Sequence, residues 1–588
     1  MLLLCALTCA SALAHVEGHP SIHDTIAGVL ERLRAAHDAD ALARLGAADV
    51  LAVLTEEDRH VLATEFWSFN IDVPARLFVL LDAAQAEVPV WLADAGFEKT
   101  AHRVVVDEDH YDAYQRDFEV GHVGLGYPGF AAPSRPYFVA LAPKAPGAKV
   151  KISKMYPGRH RDAEMKVGEK VYTDRDETLG EVPEALAGST LLRGVRDRAR
   201  ETRLLGVFRK TAYPATATPD HVVLTWSDDP RSTQTIQWRT APGLGTGYVQ
   251  YHPLETPDDA KVLPAERTEI SDPHLANDPV NHRYTVTLRG LAPGTTYAYR
   301  VGAGSDGPWG ETLTFATAPD GPVPFKFVYM GDAQNGLDTW GKLLAKAHAD
   351  EPDARFYVMA GDLVNRGVER DDWDSFFHNA RGVFDQRQLV PCIGNHEDQG
   401  DNGPWMYLDL LALPKNGPES ITPERAYSFT YSNALFVVLD SNLAPHTQSA
   451  WLEQQLANST ATWKFVVYHH PAYASSPRRD NPLLRNQWTP LFDKYHVDLA
   501  LQGHDHAYLR TYPMHNQERV GSPAEGTIYI VSVSGTKFYD QAEHPYTEFG
   551  MTNVATYQVL DITIDGDRLV YKAYDIDGEL RDEFVIEK

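Results

Sequence analysis

Two hydrophobic periodicities alternate along this chain. Near its start Ile26, Val29, Leu30 and Leu33 recur at the spacing of one helix face, while Leu77 to Leu81 and Tyr137 to Leu141 are short apolar runs that predict strands. From about Pro219 to Ala318 the texture turns β, with alternating runs His221 to Trp226, Thr235 to Trp238 and Tyr284 to Leu288 set between turn formers. A Pro293-Gly294 turn leads into a strand carrying Tyr297 and Tyr299 on one face. After the linker Ala318 to Pro322 the pattern changes again. Phe325 to Met330, Arg355 to Ala360, Leu435 to Leu439 and Phe465 to Tyr468 predict buried strands, with helices at Thr339 to His348 and Ser449 to Leu456 between them. That alternation predicts an α/β domain built on a central sheet. An Asp565-Gly566 turn between Ile562/Ile564 and Leu569/Val570 predicts a closing hairpin.

The 588 residues exceed what one core serves, so several domains are expected. The boundaries read as a leader over 1–14, a mixed α/β region of unknown role over 15–213, a β-sandwich over 219–318 and the α/β domain over 322–588. A formal net charge of -27 argues against a nucleic-acid-binding surface. Residues 2 to 14 are apolar but too short to span a bilayer, and Ala12-Leu13-Ala14 has the form of a signal-peptidase site. No Lys or Arg precedes this run, so a buried N-terminal helix is the rival reading; a cleaved leader would make the protein secreted or periplasmic. No later stretch reads as a membrane span, and oligomeric state is not readable. Of the three cysteines, Cys5 and Cys9 fall in the leader, which leaves Cys392 and excludes both a disulfide framework and a Cys-based metal site.

Candidate chemistry concentrates where the α/β strands end. Gly331-Asp332-Ala333-Gln334, Gly361-Asp362-Leu363-Val364-Asn365, Gly394-Asn395-His396-Glu397, His469-His470-Pro471 and Gly503-His504-Asp505-His506 each follow an apolar run. Taken singly, each reads as a turn or a solvated histidine. Together they form a mixed oxygen and nitrogen donor set suited to Zn, Mn or Fe. The glycines would let the backbone turn sharply and aim the next side chain out of the sheet edge.

These blocks, in this order and including Val466-Val467-Tyr468-His469, resemble the calcineurin-like metallophosphoesterases and, within them, the purple acid phosphatases. The preceding zone resembles a fibronectin type III-like sandwich. The resemblance implies two divalent metal ions (Mn, Zn or Fe) bridged by Asp362, with Asp332 and His506 on one and Asn395, His469 and His504 on the other. It implies His396 as proton donor or phosphate ligand. Two positions depart from the pattern. Asn365 stands where purple acid phosphatases place the tyrosine that ligates ferric iron, and Gln334 stands where the wider family often has a ligating His. Either is a candidate fourth ligand of the first metal. Arg478-Arg479 replaces a histidine pair of plant relatives; it is either a phosphate-binding fork or a solvated basic turn.

The expected reaction is hydrolysis of a small-molecule phosphate ester by a metal-bound hydroxide attacking phosphorus in line. A phosphodiesterase or nucleotide hydrolase would use the same ligands, and a secreted binding protein with an inactive phosphatase domain is the reading from another class. The carboxylates from Asp575 to Glu579 read as a hairpin turn rather than a calcium loop.

Overall fold

The computed structural model describes residues 21–85, 87–132, 134–304, 308–399, 403–563 and 567–588. The expected leader at 1–14, Cys5 and Cys9 among it, and the Asp565-Gly566 turn lie outside the described residues. Two compact units divide the chain, Met1–Arg209 and Lys210–Lys588.

In the first unit the helical spacing predicted around Ile26 forms the helix Ile22–Ala36. It buries Ile22, Ile26, Val29, Leu30 and Leu33, and is started by a capping box between Ser21 and Asp24. Three shorter helices lead to Thr64. The strands that follow pair antiparallel, with one further short helix, Val90–Asp94, among them. A seven-stranded sheet runs in the order Arg161–Glu164, Thr190–Arg193, Phe138–Pro143, Ala75–Asp82, Asp109–Phe118, Glu98–Val106, Leu179–Glu181. Its core is Phe78, Leu80, Val104, Tyr111, Phe138 and Tyr172 with their neighbours.

The second unit begins with the sandwich. Its two sheets enclose Leu224, Ile236, Trp238, Val249, Tyr284, Tyr297, Tyr299 and Phe315. The Pro293-Gly294 turn joins Val280–Arg289 to Thr296–Ala303 with Gly294 at φ +63°, and Tyr297 Oη accepts the Ala292 N–H at 2.9 Å. One of these sheets continues beyond the sandwich. Asp220–Thr225 pairs in parallel with Gln388–Pro391 at Leu224 and Gln388, so ten strands form one sheet from Glu266–Ser271 to Leu580–Glu587. A buried ion pair, Arg239 to Asp374 at 2.6 Å, and a Gln388 to Gln234 hydrogen bond at 2.6 Å close the seam. Sandwich and α/β layers therefore share one compact unit on either side of residues 318–322.

Within that sheet Phe325–Met330, Ala354–Met359 and Gln388–Pro391 are parallel neighbours. A second sheet of seven strands holds Ala434–Val438, Trp463–Val467, Leu499–Gln502 and Ile528–Val531, again all parallel. Aromatic side chains join the layers: Phe327 meets Phe356, Phe436 and Phe465 at ring distances of 5.2, 5.2 and 5.3 Å. Helices Leu337–Asp350 and Arg370–Asn379 put Trp340, Leu344 and Phe376 into the core shared by the two sheets. His446–Asn458 and Pro482–Tyr495 cover the outer face of the second sheet through Leu452, Leu456, Trp488 and Phe492. The parallel strands are buried on both faces, which is why they read as unbroken apolar runs.

Asp575 closes its turn as expected of a hairpin. Its carboxylate accepts the N–H groups of Asp577 and Glu579 at 2.9 and 3.0 Å. The strands on either side of residues 564–566, Thr556–Ile562 and Arg568–Asp575, pair antiparallel. Among the described residues no helix is long and apolar enough to cross a membrane.

Candidate metal centre

Five loops at the carboxyl ends of parallel strands, three from the first sheet and two from the second, bring the predicted ligands together. The Asp362 carboxylate lies at the centre. Its Oδ2 is 3.2 Å from His469 Nε2 and accepts Gln334 Nε2 at 2.8 Å. Gln334 Nε2 also lies 3.1 Å from His506 Nε2, which in turn is 3.1 Å from Asp332 Oδ2. On the other side His469 Nε2 faces Asn395 Oδ1 and His504 Nδ1, each at 3.1 Å.

Two backbone carbonyls set the histidine tautomers. His469 Nδ1 donates to the Ala360 carbonyl and His506 Nδ1 to the Lys537 carbonyl, both at 2.9 Å. Each ring therefore presents Nε2 to the centre. The neutral His469 Nε2 would face two oxygen acceptors, from Asn395 and Asp362, beside His504 Nδ1. Asp332 Oδ2 and Gln334 Oε1 are buried without a hydrogen-bond partner. Converging lone pairs lacking donors fit a cation, and the oxygen and imidazole donors suit Mn, Zn or Fe.

The electrostatics carry the same imprint. Burial disfavours a charge on His469, but Asp362 and Asp332 outweigh it and push the ring up to about 10. Burial likewise opposes the Asp362 charge; His469 overcomes it and holds that carboxyl below its usual range. Asp332, buried beside Asp362, is raised well above the carboxylate range. His506 falls to about 4, chiefly through burial, and His504 falls further through burial and the His469 charge. Protons on His469 and Asp332 thus take the positions that cations would neutralise.

The sharp turns expected of the glycines fall elsewhere. Of Gly331, Gly361, Gly394 and Gly503 only Gly361 has positive φ, +82°. Gly394 and Gly503 instead permit close approach. A Cβ on the first would lie 2.2 Å from Asp362 Oδ1, and on the second 2.2 Å from Asp332 Oδ1. The left-handed backbone belongs to the ligands themselves, Asp362 at φ +50°, His504 at +75° and His506 at +45°. Such strain, about 1–3 kcal/mol per residue, persists where surrounding contacts impose it.

Arg478, Arg479 and Asn365 are placed as follows. Arg479 donates through Nη1 to the His504 carbonyl and to Asp505 Oδ1, both at 2.9 Å, with its guanidinium 5.3 Å from the Tyr539 ring centroid. Asp505 is fully buried and requires that partner. Arg478 is exposed and makes no contact with the ligands. Asn365 touches the site through its carbonyl, which accepts His396 Nδ1. His396 is further placed by its own N–H, donated to Asp362 Oδ1 at 2.9 Å.

Residues 325–508 match the family "Calcineurin-like phosphoesterase", and residues 219–317 match "Purple acid Phosphatase, N-terminal domain". The α/β layer therefore carries a calcineurin-like phosphoesterase domain, and the sandwich before it is similar to the N-terminal domain of purple acid phosphatases. An uncharacterized protein of Mycobacterium tuberculosis is 28% identical over 47% of this chain and 59% of its own length. The purple acid phosphatase of Glycine max is 28% identical over 52% of this chain and 68% of its own. The chain thus spans about three-fifths of the mycobacterial relative. The solved purple acid phosphatase PPD1 from yellow lupin (Lupinus luteus) seeds shares the fold at a TM-score of 0.55 and 16% identity, over 90% of this chain and 91% of its own. That share is more than the second unit alone can supply.

Three residues of this phosphoesterase-type site carried no role in the sequence reading. Glu397 is fully buried and accepts the N–H groups of Gly394, Asp362 and Val364 at 2.8, 2.9 and 3.2 Å, tying two ligand loops together. Burial and then the Asp362 charge push it up to about 8, against those three donors. Asp505, spacer of the His504-Asp505-His506 run, anchors residues 475–479 by accepting from Ser475 and Ser476. His470 bonds Ser441 Oγ through Nδ1 at 2.8 Å, with its ring 4.3 Å from that of His504, and belongs to a possible metal-holding trio with His469 and His504. The doubled histidine was the available signal for His470. An apolar environment for Glu397 and Asp505 is not visible in their neighbours along the chain.

Proposed function

We propose that this chain hydrolyses phosphate esters of small molecules at a dinuclear centre held by Asp332, Asp362, Asn395, His469, His504 and His506, with Asp362 shared. One observation carries the reading: ligand-competent atoms from five separate loops converge, and among them the buried Asp332 Oδ2 and Gln334 Oε1 have no hydrogen-bond partner. Bound there, two divalent ions would supply charge neutralisation at the phosphoryl oxygens and a more acidic water. Gln334, whose amide contacts Asp362 through Nε2 and whose Oε1 is unpartnered, is the better candidate for a further ligand; Asn365 is engaged through its carbonyl. The apolar leader at 1–14 supports placing the protein outside the cytoplasm.

The chain's own groups have separable tasks. In the neutral rings the Ala360 and Lys537 carbonyls hold the proton on Nδ1 of His469 and His506, which leaves Nε2 aimed inward as the ligand atom. His396, its Nδ1 tied to the Asn365 carbonyl, keeps Nε2 free of any hydrogen bond among the described residues and can pass a proton to the departing alcohol. His396→Ala is expected to retain the metals but lose about 10²–10⁴-fold in kcat, the usual worth of a positioned general acid. Metal analysis beside steady-state kinetics on phosphomonoesters, diesters and nucleotides checks it; wild-type turnover in the variant would refute the assignment.

No tyrosine stands at position 365 to supply a phenolate, and burial pushes the Cys392 thiol well up, which disfavours a thiolate there. The protein reconstituted with Mn, Zn or Fe should therefore lack a strong visible charge-transfer band. An absorption spectrum decides the point, and an intense band in the purified protein would overturn it.

A further inference from the structure

The first unit holds a cavity of about 420 Å³ whose wall carries Arg135, Arg175, Arg196, Arg200 and Arg203. Three of these are already paired. Arg175 meets Asp197 at 2.7 Å, Arg196 meets Glu177 at 3.1 Å, and Arg135 meets Asp109 and, at 3.3 Å, Asp82. Among the described residues Arg200 and Arg203 have no carboxylate partner. Arg203 Nε is buried without an acceptor, and so is the hydroxyl of the buried Ser134 on the same wall. Buried polar groups are normally satisfied, and this wall leaves two orphan donors beside one orphan acceptor, Glu177 Oε2, so donors remain for an acceptor that enters it.

We propose that this cavity binds a small multivalent oxyanion, a ligand carrying two linked phosphate-type groups. Guanidinium forks match such groups geometrically, and of the five here Arg200 and Arg203 are the two without a carboxylate partner among the described residues. No aromatic side chain is part of the wall, so the anionic groups rather than a stacked ring are what it recognises. On a chain of net charge -27 the local excess of positive charge makes the cavity a selective anion trap.

The test is calorimetric titration of the full-length, metal-loaded chain with methylenediphosphonate, a non-hydrolysable probe. An event beyond binding at the catalytic centre is expected. In Arg200→Gln/Arg203→Gln it should weaken by about ten- to hundredfold, the worth of hydrogen bonds to charged groups. Phosphomonoester hydrolysis, and its inhibition by the same probe, should stay at wild-type values. Ser134→Ala should weaken the same event without altering the melting curve, which keeps the test open should the double variant fold poorly. Inorganic sulfate, a single group, should bind more weakly, and raised salt should weaken the probe. Superimposable titrations of wild type and both variants would overturn the proposal. So would retention on anionic phospholipid vesicles that the probe does not compete away.

Discussion

Replacing Asp362 with alanine is expected to lower phosphoesterase activity by more than about 10⁴-fold, beyond the 10²–10³ that losing one transition-state contact costs. Its carboxylate is in contact with both halves of the centre, reaching His469 at 3.2 Å and, at 2.8 Å, the Gln334 amide that adjoins His506. It also fixes the His396 backbone at 2.9 Å, so the proton donor is displaced by the same change. Metal content measured by elemental analysis should fall from about two equivalents to one or fewer. Asp362→Asn separates the terms: it preserves the carbonyl oxygen and the shape but removes the charge, and should lose less metal than the alanine variant. Full metal loading and near-native kinetics in Asp362→Ala would mean that the convergence around this residue has another purpose.

Glu397→Ala should be the most destabilising single change near the site that touches no ligand atom. It leaves the N–H groups of Asp362, Gly394 and Val364 buried without their acceptor, each costing about 1–3 kcal/mol. Partial entry of water would limit the total to about 3–5 kcal/mol, at the upper end for single substitutions. Asp362 holds its left-handed backbone, φ +50°, against this carboxylate, so releasing it should also weaken metal affinity by about 10–100-fold, as loss of an outer-shell partner does. Urea denaturation monitored by circular dichroism and metal titration of the same variant give the two readouts. A denaturation midpoint and metal affinity both equal to wild type would show that the two loops are held by something other than Glu397.

Much of the α/β layer was legible because its parallel strands are buried on both faces and end in polar residues. Phe325–Met330, Ala354–Met359, Trp463–Val467 and Leu499–Gln502 announce themselves as apolar runs, and the next residues supply Asp332, Asp362, His469 and His504. The first unit was less legible. Its strands Glu98–Val106 and Asp109–Phe118 expose many side chains and carry charges such as Arg103 and Asp112, which pair across strands at 2.8 Å. Such strands carry little of the alternation that marks a half-buried sheet.

The sequence by itself determined which side chains could serve as ligands and the order in which the strands deliver them, because residue chemistry and local periodicity are properties of neighbours along the chain. Only the tertiary structure decided what each group faces. It made Asp505 and Glu397 buried anchors, turned Arg479 inward to Asp505, placed the strained backbone on Asp362, His504 and His506, and ran one sheet from sandwich to catalytic layer through Leu224 and Gln388. Each of these depends on contacts between residues distant in sequence, where burial changes the energy of a charge or a turn that looks ordinary in isolation.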